Sequence, residues 1–325
     1  MSRTEPVFEV IHPGMLTTVQ DLGRRGYQKY GLAVSGAADA HAHRMANLLL
    51  GNPVDAATLE VTLMGLKVRV LKPTAVAITG GDLDPRLNGQ PIPMWSTVPV
   101  HPGDVIHFSG CKSGCRAYLA VSGGIDVPVV LGSRSTDLLG GIGGVAGRKL
   151  EKGDLLFAGP ARVPADKVLR RRLHPDWVPQ YPRQVEVRVV LGPQEDAFTP
   201  DGIATFLSSE YTVSTTSDRM GLRLMGPTVG HKHGADILSE GLFMGAVQVP
   251  QNGQPIVFLV GRQSVGGYTK IAGVITVDMP WLAQLKPGDT IRFRQVTVAE
   301  AHRLLREYER FFAAIKVWGS SHLSA

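Results

Sequence analysis

Three short stretches repeat one piece of turn chemistry: HPGDVIHF from His101, EKGDLLF from Glu151 and KPGDTIRF from Lys286. In each, a Gly-Asp turn feeds a run in which apolar and polar residues alternate, which is the period of a strand buried on one face. The same punctuation runs along the whole chain, where 38 Gly and 22 Pro include PG, GG and GP pairs spread from end to end. Frequent turns joining short strands point to an all-β architecture, mainly β with a few helices. The turn recurs in both halves, and 325 residues suit two domains of ordinary size better than one core.

Strands are expected where β-branched residues alternate or cluster between breakers: Thr74 to Thr79, Arg116 to Val121, Val185 to Leu191, Gly245 to Val249, Ile256 to Val260, Val274 to Val277 and Thr290 to Phe293. One helix is expected from about Ala37 to Leu50, with Ser35 as N-cap, Asp39 in the first turn, and Gly51, Asn52 and Pro53 at its end. Another is expected from Val298 to about Val317, where Ala301, Leu304, Leu305, Tyr308, Phe311 and Phe312 recur at helical spacing and suit packing against a barrel. Between Arg162 and Arg183 strand periodicity stops, so the domain linker is placed there. The expected division is 1–183 for an N-terminal domain with its linker, 184–297 for a C-terminal domain, and 298–325 for a helix and tail.

Hydrophobic content of 43% and charged content of 19% describe a folded chain. The formal net charge is +6, but the one marked basic run, Lys167 to Arg172, has no aromatic platform interleaved with it. Nucleic acid is therefore not expected as a partner, and the run reads as a solvated face. No stretch of 18 apolar residues is present to span a bilayer, and no apolar run of signal-peptide length opens the chain, so a cytoplasmic location is expected. Cys111 and Cys115 are too few for a disulfide framework. With His101 and His107 they also make poor zinc spacing, so no metal site is expected.

The stretch GGIGGVAGRKLEKGD, from Gly140 to Asp154, looks like a phosphate cradle, and Gly141, Gly143 and Ala146 fit a loose GxGxxA. Such a fingerprint needs a strand before it and a long helix after it, and Gly153, Gly159 and Pro160 break any helix here. No GxxxxGK followed by Ser or Thr occurs, nor HExxH, nor GxSxG.

Chemistry concentrates in the second half. Asp218 and Arg219 set an acid beside a guanidinium in SDRMGLRLMGP. Residues 239–278 then supply Glu240, Gln248, Gln251, Arg262, Gln263, Ser264 and Lys270 around the paired Gly266 and Gly267. Polar groups inside buried strands cost roughly 1–3 kcal/mol each when unsatisfied, so they either bond one another or line a cleft that a ligand completes. Arg262 and Lys270 bracket the glycines and are candidates for holding a carboxylate or phosphate. The first half carries a parallel set: Gln20, Asp21, Arg24, Ser35, Asn47 and Glu60. For Asp21 the bland alternative is a turn cap, and for Asn47 closure of the helix end.

TVQDLGRRGYQKYGLAVSGAADAHAHRMANLLLGNPVDAATLEVTLMG, YLAVSGGIDVPVVLGSRSTDLLGGIGGVAGRKLEKGD, SDRMGLRLMGP, SEGLFMGAVQVPQNGQPIVFL and GGYTKIAGVITVD occur in that order. Together they resemble the family of the 5-oxoprolinase C component and allophanate hydrolase subunit 2, also called the biotin-dependent carboxyltransferase family. The resemblance spans roughly residues 7 to 295. It implies two tandem cyclophilin-like β-barrel domains. It also implies two partners, an allophanate hydrolase subunit 1 type protein (the B component of 5-oxoprolinase) and the A component of 5-oxoprolinase. The complex they form opens 5-oxoproline to glutamate at the expense of ATP with Mg. On this expectation Asp218, Arg219, Glu240 and Lys270 are catalytic. Gln20, Asp21, Arg24, Ser35, Asn47, Glu60, Gln248, Arg262, Gly266 and Gly267 then bind substrate or cofactor. The nucleotide sits on this chain or on a partner. Two alternatives accompany the resemblance. One is a carboxyltransferase of the urea carboxylase type using biotin on a separate carrier; the other is a non-catalytic partner of a subunit 1 type protein. GRQSVGGYTK departs from the family pattern at Gly261, where Asp is common, and at Ser264 and Val265, where paired threonines are common.

Overall fold

The structure is a computed structural model that describes residues 5–321. It is mostly β, and the chain forms two compact units. Among the described residues, one contains 5–25, Ser35–Tyr181 and 314–321; the other contains Gly26–Val34 and Pro182–Ala313. Residues 26–34 therefore cluster with the second unit, although the expected N-terminal domain of 1–183 included them.

In the first unit the strands divide between two sheets. One runs in the order Ile125–Asp126, Leu155–Ala158, Pro6–Pro13, Leu66–Val70, Val105–Phe108, Pro85–Leu87 and Gln90–Pro91. The other runs Leu16–Gln20, Thr58–Thr62, Ser113–Val121, Thr74–Asp82 and Thr97–Val100. Apolar residues from both sheets, among them Val7, Phe8, Val19, Leu59, Val68, Ile78, Phe108 and Leu119, enclose one core.

A helix, Ala40–Leu49, covers the second sheet through Ala46, Leu49 and Leu50, which pack with Ala75, Ala77 and Ala120. It begins later than expected. Asp39, not Ser35, is its N-cap, accepting the Ala42 N–H at 2.9 Å, while Ser35 has φ of 56° and belongs to the preceding turn. The expected linker also packs onto this unit. Val168 is fully buried in the same cluster, the Leu173 N–H reaches the Trp95 carbonyl at 2.8 Å, and Thr97 donates its N–H to the Arg171 carbonyl at 2.8 Å.

The second unit closes as a barrel in the ring order Gln184–Leu191, Lys270–Val274, Ala246–Gln248, Ile256–Phe258, Gly221–Met225, Glu210–Val213 and Thr290–Gln295. Closure comes from Gln184–Leu191, which pairs antiparallel with Lys270–Val274 on one side and parallel with Thr290–Gln295 on the other. Val187, Val189, Val247, Val257, Leu224, Ile271 and Phe293 fill the interior. The helix Pro200–Ser208, capped by Thr199, stacks Phe206 on Phe293 with ring centroids 4.4 Å apart.

The strand expected at Val274 to Val277 instead ends at Val274 and gives way to a 3-10 turn, Thr276–Asp278, and a short helix, Met279–Ala283. Buried Asp278 accepts the N–H, Nε and Nη2 of Arg188, which fixes a turn there, and Pro280 suits the start of a helix. Val298–Ser321 is helical, with Phe312 buried and Leu304, Leu305 and Tyr308 half-buried along one face. Outside the barrel ring lies a two-stranded ribbon, Asp236–Gly241 paired with Val265–Tyr268. Among the described residues no helix is long and apolar enough to cross a membrane.

Candidate functional site

The polar set expected in the first unit is engaged within the chain. Gln20 donates to Thr18 Oγ1 at 3.0 Å and to the Thr136 carbonyl at 3.1 Å, and accepts the Gly36 N–H at 3.2 Å. Asp21 accepts from the Gly23 N–H, the Ser133 and Ser135 hydroxyls and the Arg134 N–H at 2.5–2.7 Å. Burial pushes its carboxyl upward, but the donors from Ser135, Ser133, Arg134 and Gly23 outweigh that and hold it below the usual range. Arg24 is 1% exposed and donates Nη2 to the Ser135 carbonyl, while its buried Nε and Nη1 have no partner among the described residues. Burial lowers its pKa, opposed by the charges of Asp137 and Asp21.

These groups fasten the segment 133–137, and the glycine loop lies directly on it. A methyl group at Gly143 would stand 2.1 Å from the Ser135 carbonyl oxygen, and one at Gly147 would stand 2.0 Å from that of Gly141. The glycines of GGIGGVAG thus permit close backbone packing. Asn47 bonds the Ala56 carbonyl and Asn52, next to the helix end. Glu60 accepts from the Ala38 N–H at 2.8 Å and the Tyr118 hydroxyl at 2.9 Å, with Arg116 Nε at 4.0 Å. Ser35 is buried.

In the second unit the neighbouring strands Gly221–Met225, Ile256–Phe258 and Ala246–Gln248, together with the ribbon, enclose a cleft of about 650 Å³. From the expected set its wall takes Asp218, Gln248, Gly266 and Gly267; it adds Ser214, Thr216, Arg223, Asn252, Gln254, Gln263 and Tyr268, among others. Gln248 is buried on a barrel strand and donates Nε2 to the Tyr268 carbonyl at 2.9 Å, which leaves its Oε1 without a partner among the described residues. The half-buried Gln263 makes no hydrogen bond to a described residue through its amide. Asp218 Oδ1 caps its own turn through the Met220 and Gly221 N–H groups at 2.7 and 3.3 Å. Arg219, its sequence neighbour, is buried, and its carbonyl accepts the Gly261 N–H at 3.0 Å.

The remaining candidates lie beside this wall rather than in it. Glu240 and Lys270 form an ion pair, with the ammonium 3% exposed and the carboxylate 43% exposed. The bond from Lys270 pulls the Glu240 carboxyl below its usual range; burial opposes this, and a second bond from Gln194 Nε2 at 2.7 Å adds to it. Arg262 is buried and donates Nε to the Leu242 carbonyl at 3.2 Å and Nη1 to the Leu259 carbonyl at 3.3 Å. Burial alone brings it down to about 10. Among the described residues no three His, Cys, Asp or Glu side chains gather as metal ligands.

The polar groups of this wall are side-chain amides, hydroxyls, the Asp218 carboxylate and the Arg223 guanidinium, which set acceptors and donors side by side. The wall suits a small planar molecule that has N–H and C=O groups of its own. Gln263 carried a sequence signal, the polar cluster of residues 239–278. Gln194 carried none, since it lies 76 positions from Lys270 and meets it only in the folded barrel.

The chain matches the family model described as carboxyltransferase domain, subdomain A and B, over residues 30–295. It is 39% identical over 306 residues to the C component of 5-oxoprolinase from Escherichia coli, covering 94% of this chain and 96% of that one. It is 36% identical to the urea amidolyase of Saccharomyces cerevisiae, covering 92% of this chain but 17% of that longer protein. Among solved structures, the urea carboxylase of Kluyveromyces lactis superposes with a TM-score of 0.90 at 31% identity, covering 97% of this chain and 30% of that chain.

Proposed function

The chain belongs to the carboxyltransferase domain, subdomain A and B, family, and from that premise we propose that it is one subunit of an ATP-dependent 5-oxoprolinase that opens the lactam to glutamate. The observation that carries this choice is the end-to-end correspondence with a protein named as the C component of 5-oxoprolinase, 96% of which this chain covers. The amide-lined cleft is chemically compatible with it. A lactam presents one N–H and one C=O, which Gln248 Oε1 and the Gln263 amide nitrogen complement.

A lactam amide resists hydrolysis because its carbonyl is stabilised by the nitrogen. Transfer of the γ-phosphoryl group of ATP to the carbonyl oxygen releases ADP and gives an imidate-type phosphate ester; its carbon accepts water, the C–N bond breaks to leave a free amine and an acyl phosphate, and a second water hydrolyses the acyl phosphate to the carboxylate and phosphate. On this reading the cleft holds and orients the lactam. The glycine loop at Gly140 is packed against the chain's own backbone, so the nucleotide's phosphates are assigned to a partner, either the B component of 5-oxoprolinase, of the subunit 1 type, or the A component.

A second reading is supported by the 0.90 superposition on a urea carboxylase: a carboxyltransferase acting with biotin on a separate carrier. Reconstitution separates the two. This chain, its two partner proteins, ATP, Mg and 5-oxoproline are expected to yield glutamate and phosphate in equal amounts. An intact complex that makes no glutamate sinks the proposal. Turnover that requires a biotinylated carrier selects the second reading, and no turnover under either condition selects a regulatory partner.

A further inference from the structure

One strand of the second unit is nearly bare. Among the described residues Asp236–Gly241 pairs only with Val265–Tyr268, and its residues are exposed or half-buried, with Leu238 94% exposed. Its ends are anchored: the Thr269 N–H reaches the Ala235 carbonyl at 2.9 Å, and Leu242 is buried with Ala246 and Phe258. Between the ends, Glu240 reaches back to the barrel. Its Oε1 receives both Lys270 Nζ and Gln194 Nε2, and Gln194 Oε1 accepts the Lys270 N–H at 3.2 Å. Gln194 stands in the turn after Gln184–Leu191. One side-chain amide therefore joins that turn, the ribbon and the barrel strand Lys270–Val274.

The register gives this clasp its reach. Glu240 lies opposite Gly266, and Gly266 with Gly267 forms part of the cleft wall. A half-exposed carboxylate on a flexible stem has several rotamers from which to meet an ammonium; the second bond from Gln194 selects one. We propose that Gln194 is a positioning residue that locks Glu240 on Lys270 and so fixes the ribbon, and with it the glycine wall, over the cleft. The consequence for substrate rests on the reading of the cleft as the lactam site; the consequence for the ribbon does not.

Hydrogen exchange on the isolated chain tests the clasp directly. In Gln194→Ala, amides 236–241 and 265–268 are expected to exchange about 5- to 10-fold faster, the equivalent of one lost hydrogen bond, with Gln184–Leu191 unchanged. Gln194→Met keeps the length and removes the polar atoms, so it is expected to behave as the alanine variant. Unchanged ribbon exchange in the alanine variant, or wild-type exchange in the methionine variant, overturns the proposal. In a complex that turns over, KM for 5-oxoproline is expected to rise severalfold with a smaller change in kcat, and a fall in kcat at constant KM also overturns it. If the wild-type complex is inactive, the lactam reading fails while the exchange result still decides the clasp.

Discussion

At position 266 a methyl group would stand 2.8 Å from Leu242 Cδ1 and 2.9 Å from Gln248 Nε2. Gly266→Ala is therefore expected to displace Gln248 from the cleft wall, cost about 1–3 kcal/mol of stability through overpacking, and raise KM for the lactam. A denaturant melt and a substrate titration check the two effects. Gln263→Ala removes an amide that bonds no described residue, so stability is expected to change by less than about 0.5 kcal/mol. If Gln263 bonds substrate, KM should rise roughly 5- to 30-fold; unchanged KM removes Gln263 from the site. Residue chemistry was legible from sequence where an amide or a glycine interrupted an apolar run, as at Gln248 and Gly266. Pairing was not: Arg262 and Lys270 looked like one anion clamp, yet Arg262 bonds two backbone carbonyls and Lys270 bonds Glu240.

Among elements, the strand Gln184–Leu191 was legible because its alternation marks the face that meets a core, and Thr74–Asp82 because an apolar run buried on both faces still stands out between breakers. The ribbon strand Asp236–Gly241 was not, since a strand with little burial has no apolar period to read. The helix start moved from Ser35 to Asp39 because both residues cap well and only backbone conformation separates them. The glycine loop had two readings, a phosphate cradle or close packing, and the second leads to a prediction. Gly147 has φ of 71° and no room for a side chain against Gly141. Gly147→Ala is expected to destabilise the first unit by roughly 2 kcal/mol or more without changing ATP affinity of the assembled complex. Calorimetric melting and nucleotide titration test this, and weakened ATP binding in a stable variant would return the loop to the site.

For the molecule as a whole, stability is expected to depend on pH through its buried histidines. Burial lowers His41 and His43 to about 4, Arg44 adding to the effect at His41. Between about pH 6.5 and 4 the unfolded chain takes up protons that the folded chain excludes, so stability is full above that range and falls as pH drops through it. The loss for His43, which is fully buried, is on the order of 3 kcal/mol. Urea unfolding at pH 7 and pH 4.5 measures it, and His43→Gln should flatten the dependence; an unchanged slope places the effect elsewhere. Chain division shows the same separation of scales. Composition and turn spacing predicted a mostly-β protein of two-domain length, because period and punctuation are local properties. Tertiary structure decided that residues 26–34 cluster with the second unit, that the barrel closes by pairing Gln184–Leu191 with Thr290–Gln295, and that Gln194, Glu240 and Lys270 meet. Each of these joins residues far apart in the chain, and a contact whose partners share no local pattern exists only once burial and register have set both in place.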